Sequence, residues 1–517
     1  MSAAAIPPSQ RGCGVLLHVS SLPGSPVCGS FGAPARDWIA LLSRERVGVW
    51  QVLPLSPTDS TGSPYSSPSG SALNPWFLDA DDLVAEGWLS ADECAGLPGA
   101  QAEAQRLQPS LADARAAGLR QVLQRNLGRQ PSDRRQAFEA WRQQQRHWLR
   151  DHCRFMVLRQ QQRGLPWWQW PAPLAQRQRR ALNKLDQQEA DALRGEALLQ
   201  WLLERQWQRL QGCAQEGAVS LVGDLPFYVA HDSVDTWCHP GLFALAQDGS
   251  LPQQSGVPPD YFSSTGQLWG GPVYRWWRHR LSGFRWWLER LERQLSLFDL
   301  LRIDHFRALQ AFWSVPGADS TAEHGAWRPS PGRWLLALLW WRCRWSGRLL
   351  PDGRLPLIAE DLGVITPPVE ALRDRFGLPG MKILQFAFDG NETNPYLPRN
   401  FAGERWVAYT GTHDNATSVG WWQGLDQGAR DRVATAVSAP IHAPAWQLLE
   451  LGLASTAELL VVPLQDLLEL GDEARFNTPG TISGNWSWRL DRPVAALEGP
   501  VVGFGQMAAR YGRAAGG

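Results

Sequence analysis

Eight short apolar runs recur along the chain, each bounded by turn residues. They read GVLLHVS from Gly14, VGVWQVLPL from Val47, VSLVGDLPF from Val219 and FDLLRIDHF from Phe298. LPLIAEDLG from Leu355, MKILQFAF from Met381, RWVAYTGTHD from Arg405 and ELLVVPLQD from Glu458 complete the set. The runs are β-branched and aliphatic, and longer segments with helical composition separate them. A strand that is apolar on both faces belongs to a parallel sheet covered on both sides. Eight alternating units predict an α/β fold of the (β/α)8 TIM-barrel class, with no separate C-terminal β domain.

Two spacers are longer than a single helix requires. Residues about 66–215 include Arg115 to Gln162 and Gln176 to Glu216, which have few helix breakers and predict an inserted helical subdomain. Residues about 227–283 are rich in Gly, Pro, Tyr and Trp, including GVPPDYFSSTGQLWGGPVYRW, and predict a loop-rich insertion. Insertions after barrel strands fall on the catalytic face.

Composition narrows the classes. Fifty basic and fifty acidic residues give no net charge, so no broad pull draws the chain to nucleic acid or to an anionic lipid surface. From Gln101 to Gln215 there are 20 Arg/Lys against 10 Asp/Glu, which reads as a solvated helical surface because no nucleic-acid motif accompanies it. Seven scattered cysteines form no Cys-x-x-Cys pair and suggest neither a zinc site nor a disulfide framework. The opening MSAAAIPPSQRG lacks a signal-peptide core, and no apolar stretch is long enough for a membrane span. A cytoplasmic protein with reduced thiols is expected. The 29 Trp, several in adjacent pairs, are mainly packing residues, with some free to dock sugar rings.

The candidate chemistry lies where the runs end. Asp224 closes the third run, Asp304 the fourth, Glu360 the fifth, and His413-Asp414 the seventh. Strand C-termini of a (β/α)8 barrel converge on one rim, so these residues would meet there. A lone Asp after a strand is as readily a helix cap. Four carboxylates gathered in one cleft raise one another's pKa, and that cost points to catalysis. Cleaving a glycosidic bond takes two carboxyl groups, one as nucleophile or base and one to protonate the leaving oxygen.

At these residues the sequence resembles the amylomaltase and disproportionating-enzyme family of 4-α-glucanotransferases, relatives of the α-amylases. The likeness runs from about Gly12 to Trp488 through LLHVSSLPG, WQVLPLSPT, SPYSSPSGSALNPW, GDLPFYVAHDS, GVPPDYFSSTGQLWG, LLRIDHFRA, IAEDLGVITPPVEALRDRFGLPGMKILQFAF, YTGTHDN and SGNWSWR. The resemblance implies Asp304 as nucleophile, Glu360 as general acid/base, and Asp414 as a third carboxylate that grips sugar hydroxyls. It implies that Arg302 keeps Asp304 ionised, that His413 donates to the sugar, and that Tyr65 and Asp224 frame the transferred glucose. Asn477 and Ser483 would lie near it. Asp260, Phe262, Gln267 and Trp269 belong to a loop that would cover the cleft. Ser60 stands where some relatives carry a Tyr that contacts glucan outside the cleft, which leaves such binding in question, and Thr481-Ile482 stand where some have Arg-Pro, so altered subsites are expected there.

The resemblance further implies a retaining exchange between α-1,4-glucan donors and glucose or maltooligosaccharide acceptors, with no cofactor or metal. The two catalytic carboxyls would then lie about 5–5.5 Å apart. A hydrolase with the same residues and weaker exclusion of water is the nearest alternative. A non-catalytic glucan-binding protein is the alternative from another class, and the presence of all three carboxylates disfavours it. Oligomeric state is not legible in the sequence.

Overall fold

The computed structural model describes residues 11–102, 105–259 and 263–515. All eight apolar runs form strands of one parallel sheet: β1 (Gly12–Leu16), β2 (Val49–Gln51), β3 (Ser220–Leu225), β4 (Leu300–Ile303), β5 (Leu357–Ala359), β6 (Gly380–Ile383), β7 (Trp406–Tyr409) and β8 (Leu459–Pro463). The order runs β6-β7-β8-β1-β2-β3-β4-β5, so each strand pairs with its neighbour in sequence, and β8 pairs with β1. The two ends of this order meet where the Ala359 N–H, on β5, donates to the Pro379 carbonyl beside β6 at 2.9 Å. The sheet therefore curls into the expected (β/α)8 barrel.

Every residue of these strands is buried, as runs apolar on both faces require. Polar groups inside are paired: the Tyr409 hydroxyl donates to Gln51 Oε1 at 2.9 Å, joining β7 to β2 within the core. Packing is close where β1 meets β2. A Cβ on Gly14 would stand 2.5 Å from the Val49 Cβ, so only glycine fits there.

Helices return the chain along the outer wall. Ala33–Arg44 lies between β1 and β2, Ala190–Glu216 leads into β3, and Arg285–Leu297 into β4. Gly332–Ser346, Pro367–Arg375 and Pro444–Ala454 precede β5, β6 and β8, and Glu498–Arg510 closes the chain. Between β6 and β7 the alternation lapses. Residues 384–405 hold two single-turn 3-10 helices, because FDGNETNPYLPRNFAG is broken by Gly, Pro and Asn.

The spacer from β2 to β3 is helical over most of residues 80–216, ending in a 27-residue helix. The spacer from β3 to β4 holds more regular structure than its composition predicts. Gln253–Val257 and Gln267–Pro272 join Ala311–Pro316 and Ala326–Pro329, both C-terminal to β4, in an antiparallel sheet. Its central pairing, Gln253–Val257 with Ala311–Pro316, joins segments about 60 residues apart, and glycine interrupts the first two strands, so no local alternation announces it. Among the described residues, no helix is long and apolar enough to cross a membrane.

The close approach at Gly14 generates a test. Gly14→Ala forces apart β1 and β2 and should cost about 1–3 kcal/mol, as overpacking of a filled core does. Denaturant unfolding of the two proteins measures it; equal stability would mean that the barrel has slack there.

Candidate active site

Asp224, inside β3, and Arg302, inside β4, sit opposite each other in the ladder and face each other in space. Arg302 Nη1 donates to Asp224 Oδ1 at 2.8 Å and to Oδ2 at 2.7 Å, and to Asp304 Oδ1 at 3.0 Å. Arg302 and Asp304 are two residues apart, so strand alternation turns both to one side. The Arg302 and Asp224 side chains are almost sealed, at 5% and 0% exposure, whereas Asp304 is 31% exposed where the cleft opens. Asp224 thus stands behind the cleft floor, and the structure gives it Arg302 and Tyr65 as neighbours rather than open space.

The Tyr65 hydroxyl donates to Asp224 Oδ2 at 2.7 Å. Its ring stacks on His413, with centroids 5.2 Å apart and planes 13° from parallel. His413 lies 3.3 Å from Asp414 Oδ1 through Nε2, and burial lowers its pKa so that the ring is neutral. These residues come from the spacer after β2 and the loop after β7, nearly 350 positions apart in sequence.

The loop after β7 is pinned from below. Asp466, just past β8, is buried and accepts from Thr410 Oγ1 at 2.6 Å, the Ser418 N–H at 2.7 Å and Ser418 Oγ at 2.7 Å. From above, Asn477 Nδ2 donates to Asp414 Oδ1 at 2.6 Å and Arg475 Nη2 to the Asp414 carbonyl at 2.7 Å. Asn477 therefore orients the third carboxylate directly. Ser483 lies on an exposed turn that Asn485 closes by accepting from the Thr478 N–H at 2.9 Å, and takes no part in these bonds.

Glu360 comes directly after β5. Its Oε2 accepts from the His305 N–H at 2.6 Å and its Oε1 from the Leu362 N–H at 2.9 Å. The first bond needs an unusual backbone: His305 has φ 55° and ψ 49°, a left-handed conformation uncommon for a residue with a Cβ. Strain of this kind persists where the surroundings over-determine it, and active sites are such places. The next residue, Asp361, is structural. It pairs with Arg373 Nη1 at 2.5 Å and accepts from the Met381 N–H at 2.7 Å, tying β5 to β6.

Trp269, 41% exposed, meets the His305 ring edge to face at 4.8 Å, and its Nε1 donates to Gln267 Oε1 at 3.3 Å. The strand that carries both thus reaches the turn after the fourth run. Asp260 and Phe262 lie outside the described residues. His305, Tyr228, Arg475 and Trp486 are not singled out by sequence, yet they stand in the same place. Tyr228 lies 5.9 Å from Trp269, and Trp486 5.7 Å from Tyr65. His305 adjoins Asp304 in the RIDHF run, but alternation points it away from the cleft; only its left-handed backbone turns it in.

Electrostatics reflect this crowding. Burial, opposed by Arg302 and reinforced by Asp224, Glu360 and Asp414, pushes Asp304 from an ordinary 3.8 up to about 8. Burial also raises Glu360, against Arg302 and the two N–H donors. Arg302 is driven well above its ordinary range, since Asp224 and Asp304 outweigh the cost of burying it. Asp304 feels the Glu360 charge, so the two titrate as a pair, and through neutral pH the pair retains a proton.

Such a barrel, with carboxylates converging on its C-terminal rim around one arginine, defines a carbohydrate-active barrel enzyme by its fold and site. The 4-alpha-glucanotransferase family profile matches residues 17–495. The chain is 42% identical over 491 residues to a 4-alpha-glucanotransferase of Thermus thermophilus, covering 93% of this chain and 95% of that protein. It is 41% identical over 489 residues to one of Synechocystis sp., covering 93% and 94%. Among solved structures, amylomaltase from Streptococcus agalactiae in complex with acarbose superposes with a TM-score of 0.92 at 31% identity, covering 98% of this chain and all of that one. The chain belongs to the 4-alpha-glucanotransferase family, glycosyltransferases that act on α-1,4-glucans.

The raised carboxyl predicts a pH-dependent gain on its removal. An unfolded Asp loses its proton near about 4, whereas the Asp304–Glu360 pair in the folded chain keeps one shared proton until about 8. Between these values the folded state binds more protons, so this group's contribution to stability is full below about 4 and is lost as pH rises through about 8. Asp304→Asn escapes that loss and leaves Asp224 on Arg302. Its melting temperature should exceed that of the wild type at pH 8, with the difference shrinking towards pH 4. A variant less stable at pH 8 would contradict the assignment.

Proposed function

We propose that this cleft exchanges α-1,4-linked glucan segments by double displacement through a β-glucosyl–Asp304 intermediate. The observation that carries the reading is Arg302 held between Asp224 and Asp304, with Glu360 just past the end of the next strand. Contact with Arg302 favours the anion on Asp304 and leaves the proton of the coupled pair on Glu360. Asp304 attacks the anomeric carbon as Glu360 gives its proton to the leaving oxygen, and the fragment with the old reducing end departs. Glu360, now ionised, takes the proton of an acceptor 4-hydroxyl, whose oxygen displaces Asp304 with net retention. To reach the glycosidic oxygen, Glu360 exchanges one of its two backbone N–H contacts for the substrate.

Asp414 grips the hydroxyls of the sugar under attack, a role supported by its contacts with Asn477 and His413. Tyr65 and His413 present stacked rings at the same sugar. Bonds broken and formed are alike, so no activated donor is called for. The glucan chains are the partners that this reading requires, with glucose or maltooligosaccharides as acceptors. Seven cysteines free of disulfides accord with a reducing compartment such as the cytoplasm.

Maltotriose is the direct test: the protein should convert it to glucose plus a ladder of longer chains. Asp304→Asn and Glu360→Gln should each lower the rate by several orders of magnitude. Glucose and maltose without the ladder would instead establish a hydrolase. We propose further that the 256–269 segment shields the intermediate from water. Shortening it should raise glucose release relative to ladder formation, and an unchanged ratio would remove that role.

A further inference from the structure

The helix Gly332–Ser346 packs Leu335, Leu336, Leu339 and Cys343 against the barrel. Its opposite face is also apolar. Trp334 is 59% exposed, Leu338 39%, Trp341 54% and Trp345 86%. The intervals of four, three and four residues set these side chains in one stripe, roughly 16 Å long at 1.5 Å per residue. Single apolar residues on a surface are ordinary, but a contiguous stripe with three indoles marks a place where something binds.

The stripe begins beside the active site. Gly332 is packed so closely on the Leu309 carbonyl that a Cβ would lie 2.2 Å from it, and Leu309 ends the turn Phe306–Leu309 just after Asp304. Just before the helix, Trp327 is 36% exposed, with the Arg307 guanidinium 3.5 Å from its ring centroid. In a barrel of this kind the helix runs from the catalytic rim to the opposite end. A line of exposed indoles therefore leads from the nucleophile's turn down the outer wall.

The flanking charge selects the occupant. Arg342 is paired with Glu292 at 2.8 Å, whereas Arg333 and Arg344 lie near tryptophan rings and have no carboxylate within salt-bridge distance among the described residues. A second copy laid on this face would bring like charges together. A neutral polyhydroxyl chain needs no counter-charge: its C–H faces dock on indole rings, and guanidinium groups donate to its hydroxyls.

We propose that Trp327, Trp334, Trp341 and Trp345 form an outlying α-1,4-glucan site that holds a long chain against the barrel wall while its end occupies the cleft. The choice of ligand rests on the transferase reading above. A polymer bound at both places gains apparent affinity without any new contact in the cleft, whereas a trisaccharide cannot span them.

The test is the pair of substitutions Trp341→Ala and Trp345→Ala in one protein, at side chains too exposed to carry the fold. With maltotriose, kcat and KM should match the wild type. With amylose, KM should rise several-fold at unchanged kcat, and retardation in a native gel containing amylose should weaken. Trp341→Phe with Trp345→Phe should restore most of both. An unchanged amylose KM with unchanged retardation would overturn the proposal. So would a shift from dimer to monomer in sedimentation, which would make the stripe an interface between copies, or loss of binding to phosphatidylserine vesicles, which would make it a membrane face. Failure of the wild type to disproportionate maltotriose would remove the transferase reading alone, because gel retardation still reads the stripe.

Discussion

One guanidinium holds the site together. Arg302 sits in a nearly sealed position between Asp224 and Asp304, with Glu360 just past the end of the neighbouring strand and the Asp414 charge also felt by Asp304. Without that charge the carboxylates would protonate or splay apart, since burial and mutual repulsion both favour the neutral form. With it, one carboxylate is held by both oxygens against the guanidinium and the other faces the opening. The division rests on exposure: Asp224 has none, and Asp304 looks into the cleft.

The barrel supplies what this arrangement demands. Adjacent parallel strands place Asp224 and Arg302 in register, and strand alternation turns Asp304 to the same side. Loops then bring the remaining groups over the rim, each tethered by buried bonds. Asp466 fastens the segment with His413 and Asp414 from beneath, and Arg475 and Asn477 hold it from above. The strained backbone of His305 belongs to the same design, since its left-handed turn aims an N–H at Glu360. Stability is given up locally so that charged groups stand ready in a partly desolvated cleft. The exposed indoles on the Gly332–Ser346 helix belong to a different scale, on which a polymer is held well away from the bond that is cut.

Much of this is legible in the chain. Barrel strands buried on both faces announce themselves as continuous apolar runs, so all eight stand out, and the residue closing each run marks the rim. His413 closes the seventh run, whereas Tyr65, Arg302 and Asn477 come through resemblance rather than pattern, and the structure brings all four to the same cleft. Other features stay hidden. The antiparallel sheet draws strands from both sides of β4, and glycine interrupts the alternation in its first two segments. His305 is hidden because its neighbour's alternation assigns it to the wrong side.

By itself the sequence determined the barrel class and which carboxylates stand at the ends of its strands, because hydrophobic periodicity and chain connectivity are local properties. Only the tertiary structure decided which carboxylate is sealed and which is open, that Asn477 rather than Ser483 reaches Asp414, and that Asp361 is a strut beside Glu360. Those outcomes depend on distances between segments up to hundreds of residues apart. Burial and charge pairing are set by such distances, and no run of neighbouring residues encodes them.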